Sequence, residues 1–430
     1  MTEKKGNSVE FEKSRCIKCT KCVLRCSGVV GIGHLAIKGE GKEKYIDFIQ
    51  ERPCTNCGQC TLVCPVNAMR EQSSIDDVKK QLADTSKIVI AQCAPSVRSS
   101  LNEIFKIEHS SKIEKKLNSC FRLLGFKKVF DVNFGADITS IVEADELLER
   151  IEENVALPMF TSCCPSWVNF VKKYRPQLLE NLTTALSPQI HAGFAYKTWW
   201  AEKETIDPKN IVVVSIMPCT SKKDEIESFR FKGLKAVDYV LTVRELAKLI
   251  EEGNVDFAGL EESDGDALFN YSGGAVIYGK SGGVMESAIR VIKRKIENKS
   301  IDNFYPQEVN ENGIFFKEST VNIGSRTIKI AIIATPKNLM GFIDSGKYKE
   351  YHYIEVMNCP GGCLGGGGQP LLPAKPALEA ELLQKRRELL QNLDNNNVKR
   401  NALENENAIE YLNWVSMKNL REKLLLASVD

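Results

Sequence analysis

The stretch LPMFTSCCP, residues 157–165, joins a short apolar run to two adjacent cysteines, Cys163 and Cys164. Neighbouring side chains of an extended segment point to opposite faces, so one metal site would recruit both thiols only under strain. The two cysteines are therefore expected to serve different purposes. What surrounds each of them depends on the rest of the sequence.

Five further apolar runs resemble the one before Cys163. They read KIVIAQCAP (87–95), KKVFDVN (127–133), NIVVVSIMPC (210–219), IKIAIIAT (328–335) and YHYIEVMNC (351–359). Runs with helical periodicity alternate with them, including DITSIVEADELLERIEENV (137–155) and TVRELAKLIEEGN (242–254). This alternation predicts α/β layers with parallel strands.

Three of the strand-like runs end in cysteine, and ligands of open α/β sheets bind beyond the carboxyl ends of the strands. We therefore expect Cys163 or Cys164 to meet Cys219, Cys359 and Cys363 at one site. The last two are one helical turn apart, which brings both sulfurs to one face. Four thiolates suit a [4Fe-4S] cluster.

The chain has fifteen cysteines, so complete disulfide pairing is impossible, and eight of them precede position 65. Their spacing indicates metal ligands in a reducing compartment. The alternative is that the later cysteines are structural, because free cysteine is among the most frequently buried residues. That alternative suits the isolated Cys93 and Cys120 better than the clustered five.

The first part of the chain contains one four-cysteine spacing twice. CIKCTKCVLRC (16–26) and CTNCGQCTLVC (54–64) both read C-x2-C-x2-C-x3-C. In two-cluster ferredoxins the fourth cysteine of each run binds the other cluster. We therefore predict one [4Fe-4S] cluster on Cys16, Cys19, Cys22 and Cys64, and a second on Cys26, Cys54, Cys57 and Cys60. The alternative is that these cysteines bind zinc. The insert between the runs, residues 28–52, is predicted to form a hairpin.

Composition limits the partners. The chain has 58 Lys and Arg against 56 Asp and Glu and no basic block, so no nucleic-acid partner is expected. The start, MTEKKGNSVEFEKSRC, has no apolar signal segment or Arg-rich presequence, and no apolar run reaches the ~18 residues of a membrane span. We expect a cytoplasmic protein without a membrane partner, an organelle such as the hydrogenosome being the alternative.

Three stretches resemble the signature motifs of the iron-only ([FeFe]) hydrogenases. They are TSCCPSW (161–167), MPCTSKKDE (217–225) and EVMNCPGGCLGGGGQP (355–370). The similarity extends from about residue 12 to about residue 370. It implies an α/β catalytic domain of two mixed-sheet lobes around a buried cofactor, preceded by an α+β two-cluster ferredoxin-like domain. The implied boundaries are 1–78, 79–370 and a helical C-terminal tail, 371–430.

The resemblance also implies an H-cluster, a [4Fe-4S] cube joined to a di-iron unit that carries CO, cyanide and a bridging azadithiolate. The cube's ligands would be Cys164, Cys219, Cys359 and Cys363, with Cys363 bridging to the di-iron unit. Cys163 would remain a free thiol that exchanges protons beside the open iron site. This division would give the adjacent cysteines separate roles in electron and proton delivery.

Further site residues follow from the same motifs. Lys222 matches a lysine that binds one cyanide, and the Ala94, Pro95 and Ser96 segment resembles the one that contacts the other. Met217 and Met357 resemble methionines that line the cofactor pocket. For protons, Glu143, Glu146 and Thr183 match relay positions, and the expected order is Cys163, a water, Glu143, Thr183, Glu146, solvent. Thr183 stands where the family has serine.

The expected activity is reversible reduction of protons to H2, with ferredoxin or flavodoxin as electron carrier and dedicated maturation proteins as further partners. A hydrogen-sensing relative would carry a sensory domain and a disrupted Cys163. An iron-sulfur assembly relative would lack the TSCCP and MPCTSKK pockets. The histidines His34, His109, His191 and His352 show no metal-ligand spacing and are expected to be structural or surface residues. The four glycines 365–368 are expected to allow close backbone approach to the cofactor.

Overall fold

The computed structural model describes residues 2–5, 8–107, 113–301, 304–373 and 375–427, so His109 lies outside the described residues. A small N-terminal domain precedes two α/β lobes, and a long helix separates these lobes. Among the described helices, none combines the length and the apolar composition needed to cross a bilayer.

The N-terminal domain is built from short antiparallel strands around the cysteine loops. Its elements are β1 (Thr2–Lys5), β2 (Val9–Glu12), α1 (Lys21–Leu24), β3 (Leu35–Lys38), β4 (Tyr45–Phe48) and β5 (Met69–Glu71). Strands β1, β2 and β5 form one sheet, and β3 pairs with β4 as a hairpin. The hairpin predicted for the insert between the cysteine runs is therefore confirmed.

The rest of the chain alternates strands with helices, as its sequence pattern predicts. The strands are β6 (Ile88–Cys93), β7 (Lys128–Asp131), β8 (Met159–Phe160), β9 (Ile211–Met217), β10 (Arg230–Phe231), β11 (Leu234–Lys235), β12 (Tyr239–Thr242), β13 (Gln307–Glu311), β14 (Ile314–Ile323), β15 (Arg326–Ala334) and β16 (Tyr353–Met357). The helices are α2 (Ile75–Ala83), α3 (Pro95–Arg98), α4 (Leu101–Phe105), α5 (Ile113–Leu123), α6 (Val132–Glu153), α7 (Pro165–Tyr174), α8 (Pro188–Ala195), α9 (Ala201–Lys203), α10 (Lys222–Glu225), α11 (Val243–Glu252), α12 (Gly273–Val276), α13 (Gly283–Glu297), α14 (Pro336–Asp344), α15 (Pro376–Asn395), α16 (Glu406–Met417) and α17 (Arg421–Leu424).

The first lobe contains a four-stranded sheet in the order β12-β9-β6-β7, and all its strand pairs are parallel. Every residue of β9 is buried, as expected for a parallel strand covered on both faces. Helix α11 follows β12 and begins with a capping box between Thr242 and Glu245. Both helices predicted from periodicity, α6 and α11, are present.

The second lobe contains a five-stranded sheet in the order β13-β14-β15-β16-β8. It is mixed, since β13, β14 and β15 pair antiparallel whereas β15, β16 and β8 pair parallel. Side chains of β15 alternate between two cores, with Ile330 and Ile332 on one face and Ala331 and Ile333 on the other. The predicted two-lobed α/β architecture is confirmed, with one lobe parallel and the other mixed.

Helix α6 forms the wall between the lobes. Phe134 and Ile138 pack into the core of the first lobe, whereas Ile141 and Leu147 pack into the core of the second. A helix that is apolar on several sides is typical of a buried position. Because both lobes rest on it, α6 fixes where the carboxyl ends of their strands meet.

The C-terminal segment is helical, as predicted, and it packs against the body of the protein. Tyr411 and Val415 of α16 and Leu424 of α17 lie in the core of the first lobe. On α15, Leu390 packs with Val276 and Leu364. The segment therefore packs on the two α/β lobes, while the domain boundaries at residues 78 and 370 stay a prediction.

Candidate functional site

One cavity lies between the lobes, where strands β6, β8, β9 and β16 end. Its lining includes ten of the residues predicted from sequence, namely Ala94, Pro95, Ser96, Cys163, Cys164, Met217, Cys219, Lys222, Met357 and Cys363. These residues follow strands of both lobes, as expected for ligand-binding groups of α/β sheets. Segments remote in sequence thus meet at a single site.

The thiols of this cavity lie close enough to influence one another's ionisation. Burial, followed by the neighbouring Cys164, raises the pKa of Cys363 to about 12. The pKa of Cys219 is raised by burial, Cys164 and Cys363. Cys359 is not among the lining residues of the cavity, and its pKa is raised by burial, Cys57 and Cys219. Such a set becomes thiolate only when a cation is bound, and this donor chemistry fits an iron-sulfur cluster.

The adjacent cysteines have different surroundings. Cys164 caps helix α7, and the backbone N–H groups of Asn358, Trp167 and Ser166 offset part of the rise in pKa that burial causes. Cys163 lies in an apolar cluster, where burial, then the charge of Glu143, raises its pKa. Cys164 thus faces hydrogen-bond donors that suit a thiolate, whereas Cys163 faces a carboxyl group.

Glu143 is buried on α6, and its two oxygens have different environments. Tyr353 donates its hydroxyl hydrogen to Oε1 at 2.8 Å, while Oε2 is buried without a hydrogen-bond partner among the described residues. Burial raises the pKa of Glu143 to about 8, and the Tyr353 hydrogen bond opposes that rise. This carboxyl group can therefore gain and lose a proton near neutral pH, as a relay requires.

Glu146 lies one helical turn further and is held by several donors. The Thr183 hydroxyl donates to Oε2 at 2.6 Å, the Thr184 hydroxyl donates to the same oxygen at 3.0 Å, and Arg150 forms a salt bridge at 2.7 Å. Among the described residues no hydrogen bond joins Thr183 to Glu143. The structure therefore links Thr183 to Glu146 in the predicted relay, but it does not link this pair to Glu143 by a described hydrogen bond.

Lys222 reaches the cavity from the start of α10. Its ammonium donates to the backbone carbonyl of Cys163 at 3.0 Å and pairs with Glu225 at 2.9 Å. Burial disfavours the charge, but the Glu225 carboxylate prevails and raises the pKa of Lys222 above its ordinary value. Lys222 is therefore a buried cation beside the thiols, as its predicted role demands.

The four cysteines of the first predicted group, Cys16, Cys19, Cys22 and Cys64, line one small cavity. Burial, followed by the neighbouring thiols of Cys57, Cys54, Cys26 and Cys22, raises the pKa of Cys60. The assignment of the eight cysteines to two clusters stays a prediction. In the described part of the chain, no three Cys, His, Asp or Glu side chains are arranged to hold a single metal ion.

The second N-terminal group lies against the third signature stretch. A Cβ atom on Gly367 would come within 2.1 Å of the Cys57 carbonyl oxygen, and one on Gly366 would come within 2.2 Å of the Pro218 carbonyl oxygen. The close approach that these glycines permit is therefore between backbone segments. The expectation that these glycines also approach the cofactor stays a prediction.

Several residues around the site were not predicted from the sequence. Glu225 neutralises Lys222, Thr184 supports Glu146, and Tyr353 holds Glu143. Two of them had a local signal, since Tyr353 shares one face of β16 with Met357 by the period of two and Glu225 lies three residues after Lys222. The contact between Thr184 and Glu146 joins segments 38 residues apart. The pKa of buried His191 is lowered by burial to about 4, which fits the structural role predicted for it.

Two protein-family models match this sequence. The model described as iron only hydrogenase large subunit, C-terminal domain, matches residues 87–367. The model described as 4Fe-4S dicluster domain matches residues 15–68. The two matches together include all twelve predicted cluster ligands.

Relatives and solved structures agree with these models. The chain is 40% identical to iron hydrogenase 1 of Clostridium pasteurianum, covering 94% of this chain and 72% of that protein. It is 38% identical to the periplasmic [Fe] hydrogenase large subunit of Nitratidesulfovibrio vulgaris, covering 85% and 87%. An apo form of [FeFe]-hydrogenase HydA1 from Chlamydomonas reinhardtii superposes with a TM-score of 0.71 at 30% identity, covering 83% and 98%.

Similarity to iron-sulfur assembly proteins is weaker. The chain is 29% identical to cytosolic iron-sulfur assembly component 3 of Rattus norvegicus, covering 77% of this chain and 73% of that protein. The family model, the hydrogenase relatives and the superposed structure all describe iron hydrogenases. The chain therefore belongs to the iron-only hydrogenase family.

Proposed function

We propose that the protein is a catalytic [FeFe] hydrogenase that reversibly converts two protons and two electrons into H2. Electrons would come from ferredoxin or flavodoxin and pass through two N-terminal [4Fe-4S] clusters to an H-cluster. The observation that carries the proposal is the environment of the adjacent cysteines. Backbone N–H groups of Asn358 and Trp167 offset part of the burial that raises the pKa of Cys164, whereas burial and then the Glu143 carboxyl raise the pKa of Cys163.

The residues around the cavity suit an H-cluster. Cys164, Cys219, Cys359 and Cys363 would hold the cube, with Cys363 also binding the di-iron unit. When bound, the H-cluster supplies the redox chemistry that joins protons and electrons into H2. Lys222 would hold a cyanide by a charge-assisted hydrogen bond, which is stronger than a neutral one.

The remaining lining residues would enclose the di-iron unit. The Ala94, Pro95 and Ser96 segment would contact the second cyanide. Met217 and Met357 are buried at the same cavity, where their polarizable thioethers pack against irregular shapes. This lining excludes water from the cofactor, which strengthens the interaction of Lys222 with a bound anion.

Protons would reach Cys163 by way of Glu146, Thr183 and Glu143, with a water on each side of Glu143. Two observations support this route. Thr183 and Glu146 are hydrogen-bonded, and Glu143 Oε2 is buried and available to such a water. A polar site with an unsatisfied buried oxygen is where an ordered water is expected.

Electrons would reach the cube from the group of Cys26, Cys54, Cys57 and Cys60. After burial, Cys57 contributes most to the raised pKa of Cys359, which supports this order of transfer. Ferredoxin-type clusters have potentials near ~-400 mV, which suits proton reduction. Fifteen cysteines without a disulfide among the described residues suit a reducing compartment such as the cytoplasm.

The test is an infrared spectrum of protein produced together with the hydrogenase maturation proteins, combined with an assay of H2 evolution. Bands of bound CO and cyanide with H2 evolution would support the proposal. Their absence after maturation would contradict it and would favour an iron-sulfur assembly role. Bands without turnover would favour a hydrogen-sensing role.

A further inference from the structure

Tyr278 is a buried residue of the cavity between the lobes to which the proposed chemistry gives no role. It lies outside the three signature stretches, in the short helical turn Ile277–Gly279 that follows α12, and only 6% of it is exposed. Its side chain lines the same cavity as Cys163, and both residues pack in one apolar cluster with Met357. A tyrosine brings a hydroxyl group into this cluster, and a buried hydroxyl group needs hydrogen-bond partners.

One hydrogen bond of the Tyr278 hydroxyl reaches helix α6. The phenol oxygen lies 2.9 Å from Ser140 Oγ, which in turn lies 2.8 Å from Ser287 Oγ and 2.8 Å from the carbonyl oxygen of Ala136. Ser140 precedes Glu143 by three residues, so the two side chains lie on the same side of α6. Tyr278 therefore meets α6 on the side that carries the carboxyl group of the proposed proton route.

The donors and acceptors around Ser140 can be assigned by counting hydrogens. A serine hydroxyl has one hydrogen to donate, and a carbonyl oxygen can only accept, so Ser140 donates to Ala136. The hydroxyl groups of Tyr278 and Ser287 must then both donate to Ser140 Oγ. The one hydrogen of Tyr278 is thereby engaged, and its oxygen keeps a lone pair that can accept a hydrogen bond.

The Tyr278 oxygen and the Glu143 carboxyl group both have unused capacity to accept a hydrogen bond. Glu143 Oε2 is buried without a hydrogen-bond partner, and no hydrogen bond within the described ranges joins Tyr278 to Glu143 or to Cys163. Burial, then the charge of Glu143, raises the pKa of Tyr278 well above its ordinary value, so the phenol keeps its hydrogen at neutral pH. Polar groups of one buried site that do not bond directly can share a water, which needs two to four polar partners.

We propose that Tyr278 is a positioning residue that holds the water between Cys163 and Glu143. This inference rests on the proposed function, because that water belongs to the proposed proton route. The water would donate one hydrogen to Glu143 Oε2 and the other to the Tyr278 oxygen, and it would accept the hydrogen of the Cys163 thiol. Without Tyr278 one hydrogen of the water would lack an acceptor, and its orientation would be less restricted.

The water moves one proton from Glu143 to Cys163 in each delivery. The protonated Glu143 carboxyl group gives its hydrogen to the water, and the water gives another hydrogen to the Cys163 thiolate that the previous delivery left. One O–H bond of Glu143 breaks, one S–H bond of Cys163 forms, and the water is regenerated. The hydrogen bond from the water to Tyr278 is the same before and after this step. Tyr278 therefore exchanges no proton and acts only by fixing the water.

A crystal structure of the matured holoenzyme tests the water directly. We expect an ordered water within ~2.7 to 3.2 Å of both the Tyr278 oxygen and Glu143 Oε2. In Tyr278→Phe, whose ring keeps the shape of the cavity wall, this water should be lost or should move away from Glu143. A native structure without a water bonded to Tyr278, or an unmoved water in Tyr278→Phe, would overturn the proposal.

Turnover provides a second readout, and Tyr271→Phe is the matched control. The Tyr271 ring packs against the same apolar cluster, but its hydroxyl donates to Glu114 and it is not among the lining residues of the cavity. With reduced methyl viologen as donor, kcat for H2 evolution should fall ~10-fold in Tyr278→Phe, because a misplaced proton carrier is costly. The KM for the donor should not change, and the solvent deuterium isotope effect on kcat should increase. Tyr271→Phe should change kcat by less than about twofold, because its hydroxyl lies outside the proton route.

A double variant separates positioning of the water from a general structural effect. Because Tyr278 acts through the water that serves Glu143, Tyr278→Phe should add nothing to the loss of kcat caused by Glu143→Gln. Losses that multiply in the double variant, or a native kcat in Tyr278→Phe, would overturn the proposal.

Ser140→Ala provides a second variant if Tyr278→Phe loses iron. It removes the acceptor of the Tyr278 hydrogen, which can then turn toward the water and take the place of the hydrogen bond that the water donates. We expect a lower kcat with an unchanged infrared spectrum of the cofactor, and a native kcat would overturn the proposal. Absence of the CO and cyanide bands from the matured native chain would instead refute the proposed function.

Discussion

The hydrogen bond from Tyr353 to Glu143 allows a quantitative prediction about proton delivery. The substitution Tyr353→Phe removes the only hydrogen-bond donor described for the Glu143 carboxyl group and keeps the ring that fills the core. The phenol stabilises the charged carboxylate more than the neutral acid. Its removal should therefore raise the pKa of Glu143 above its present value of about 8.

The size of the shift follows from the energy of one hydrogen bond to a charged group, ~1.5 to 3 kcal/mol. One pKa unit corresponds to ~1.36 kcal/mol, so the pKa of Glu143 should rise by about one to two units. Glu143 should then stay protonated over a wider range of pH. In H2 evolution, the alkaline limb of the pH-rate profile should move upward by a similar amount.

The direct assay is an infrared titration of the carbonyl stretch of the protonated carboxyl group. Glu143→Gln identifies the band, because it removes the titrating group while retaining the shape. Tyr351→Phe is the matched control, since its hydroxyl bonds to Glu318 in another part of the second lobe. That variant should leave both the Glu143 band and the pH-rate profile unchanged.

Two results of this experiment would contradict parts of the prediction for Glu143. A shift smaller than about half a pKa unit, or ~0.7 kcal/mol, would show that Tyr353 does not stabilise the Glu143 carboxylate. A shifted band with an unshifted pH-rate profile would show that Glu143 titrates as argued but does not limit proton delivery. Only the first of these results would refute the physical account of Glu143.

Three further predictions concern the cavity itself. Cys163→Ser should keep the iron content and the infrared bands while H2 evolution nearly stops, because an alcohol is a far weaker acid than a thiol. Cys164→Ser should lose the cube. If Cys163→Ser lost the cube and Cys164→Ser kept it, the two roles would be exchanged. Lys222→Ala should remove a charge-assisted hydrogen bond worth ~1.5 to 3 kcal/mol. It should lower the occupancy of the di-iron unit more than it lowers thermal stability. Occupancy equal to that of the wild type would show that Lys222 does not hold the cofactor. Protein expressed without maturation proteins should contain iron-sulfur cubes but give no H2, and measurable turnover from it would contradict the predicted dependence on maturation.

Much of the site could be predicted from local sequence. The C-x2-C-x2-C-x3-C runs indicated iron-sulfur binding because closely spaced thiolates can bind one cluster from a single loop. The strand-like runs that end near Cys163, Cys219 and Cys359 indicated a shared site because parallel strands present their carboxyl ends at one edge. The first inference depends on spacing within one loop, whereas the second depends on a general rule about where the strands of α/β sheets end.

Other features could not be predicted because they join segments that are far apart in the chain. Tyr353 and Glu143 are separated by 210 residues. Arg150 donates to the Leu182 carbonyl, 32 residues away, and Glu146 accepts from the Thr184 hydroxyl, 38 residues away. No periodicity records such contacts, since they depend on how the two lobes pack on α6. The burial that raises the pKa of Glu143 has the same origin.

The sequence by itself determined which chemistry the protein can hold, because cysteine spacing and strand period are local properties of the chain. Only the tertiary structure decided which neighbour each reactive group meets. Cys163 and Cys164 have identical side chains, yet packing places one against a carboxyl group and the other against backbone donors. Their ionisation differs because burial and nearby charge, rather than residue type, set the pKa of a group.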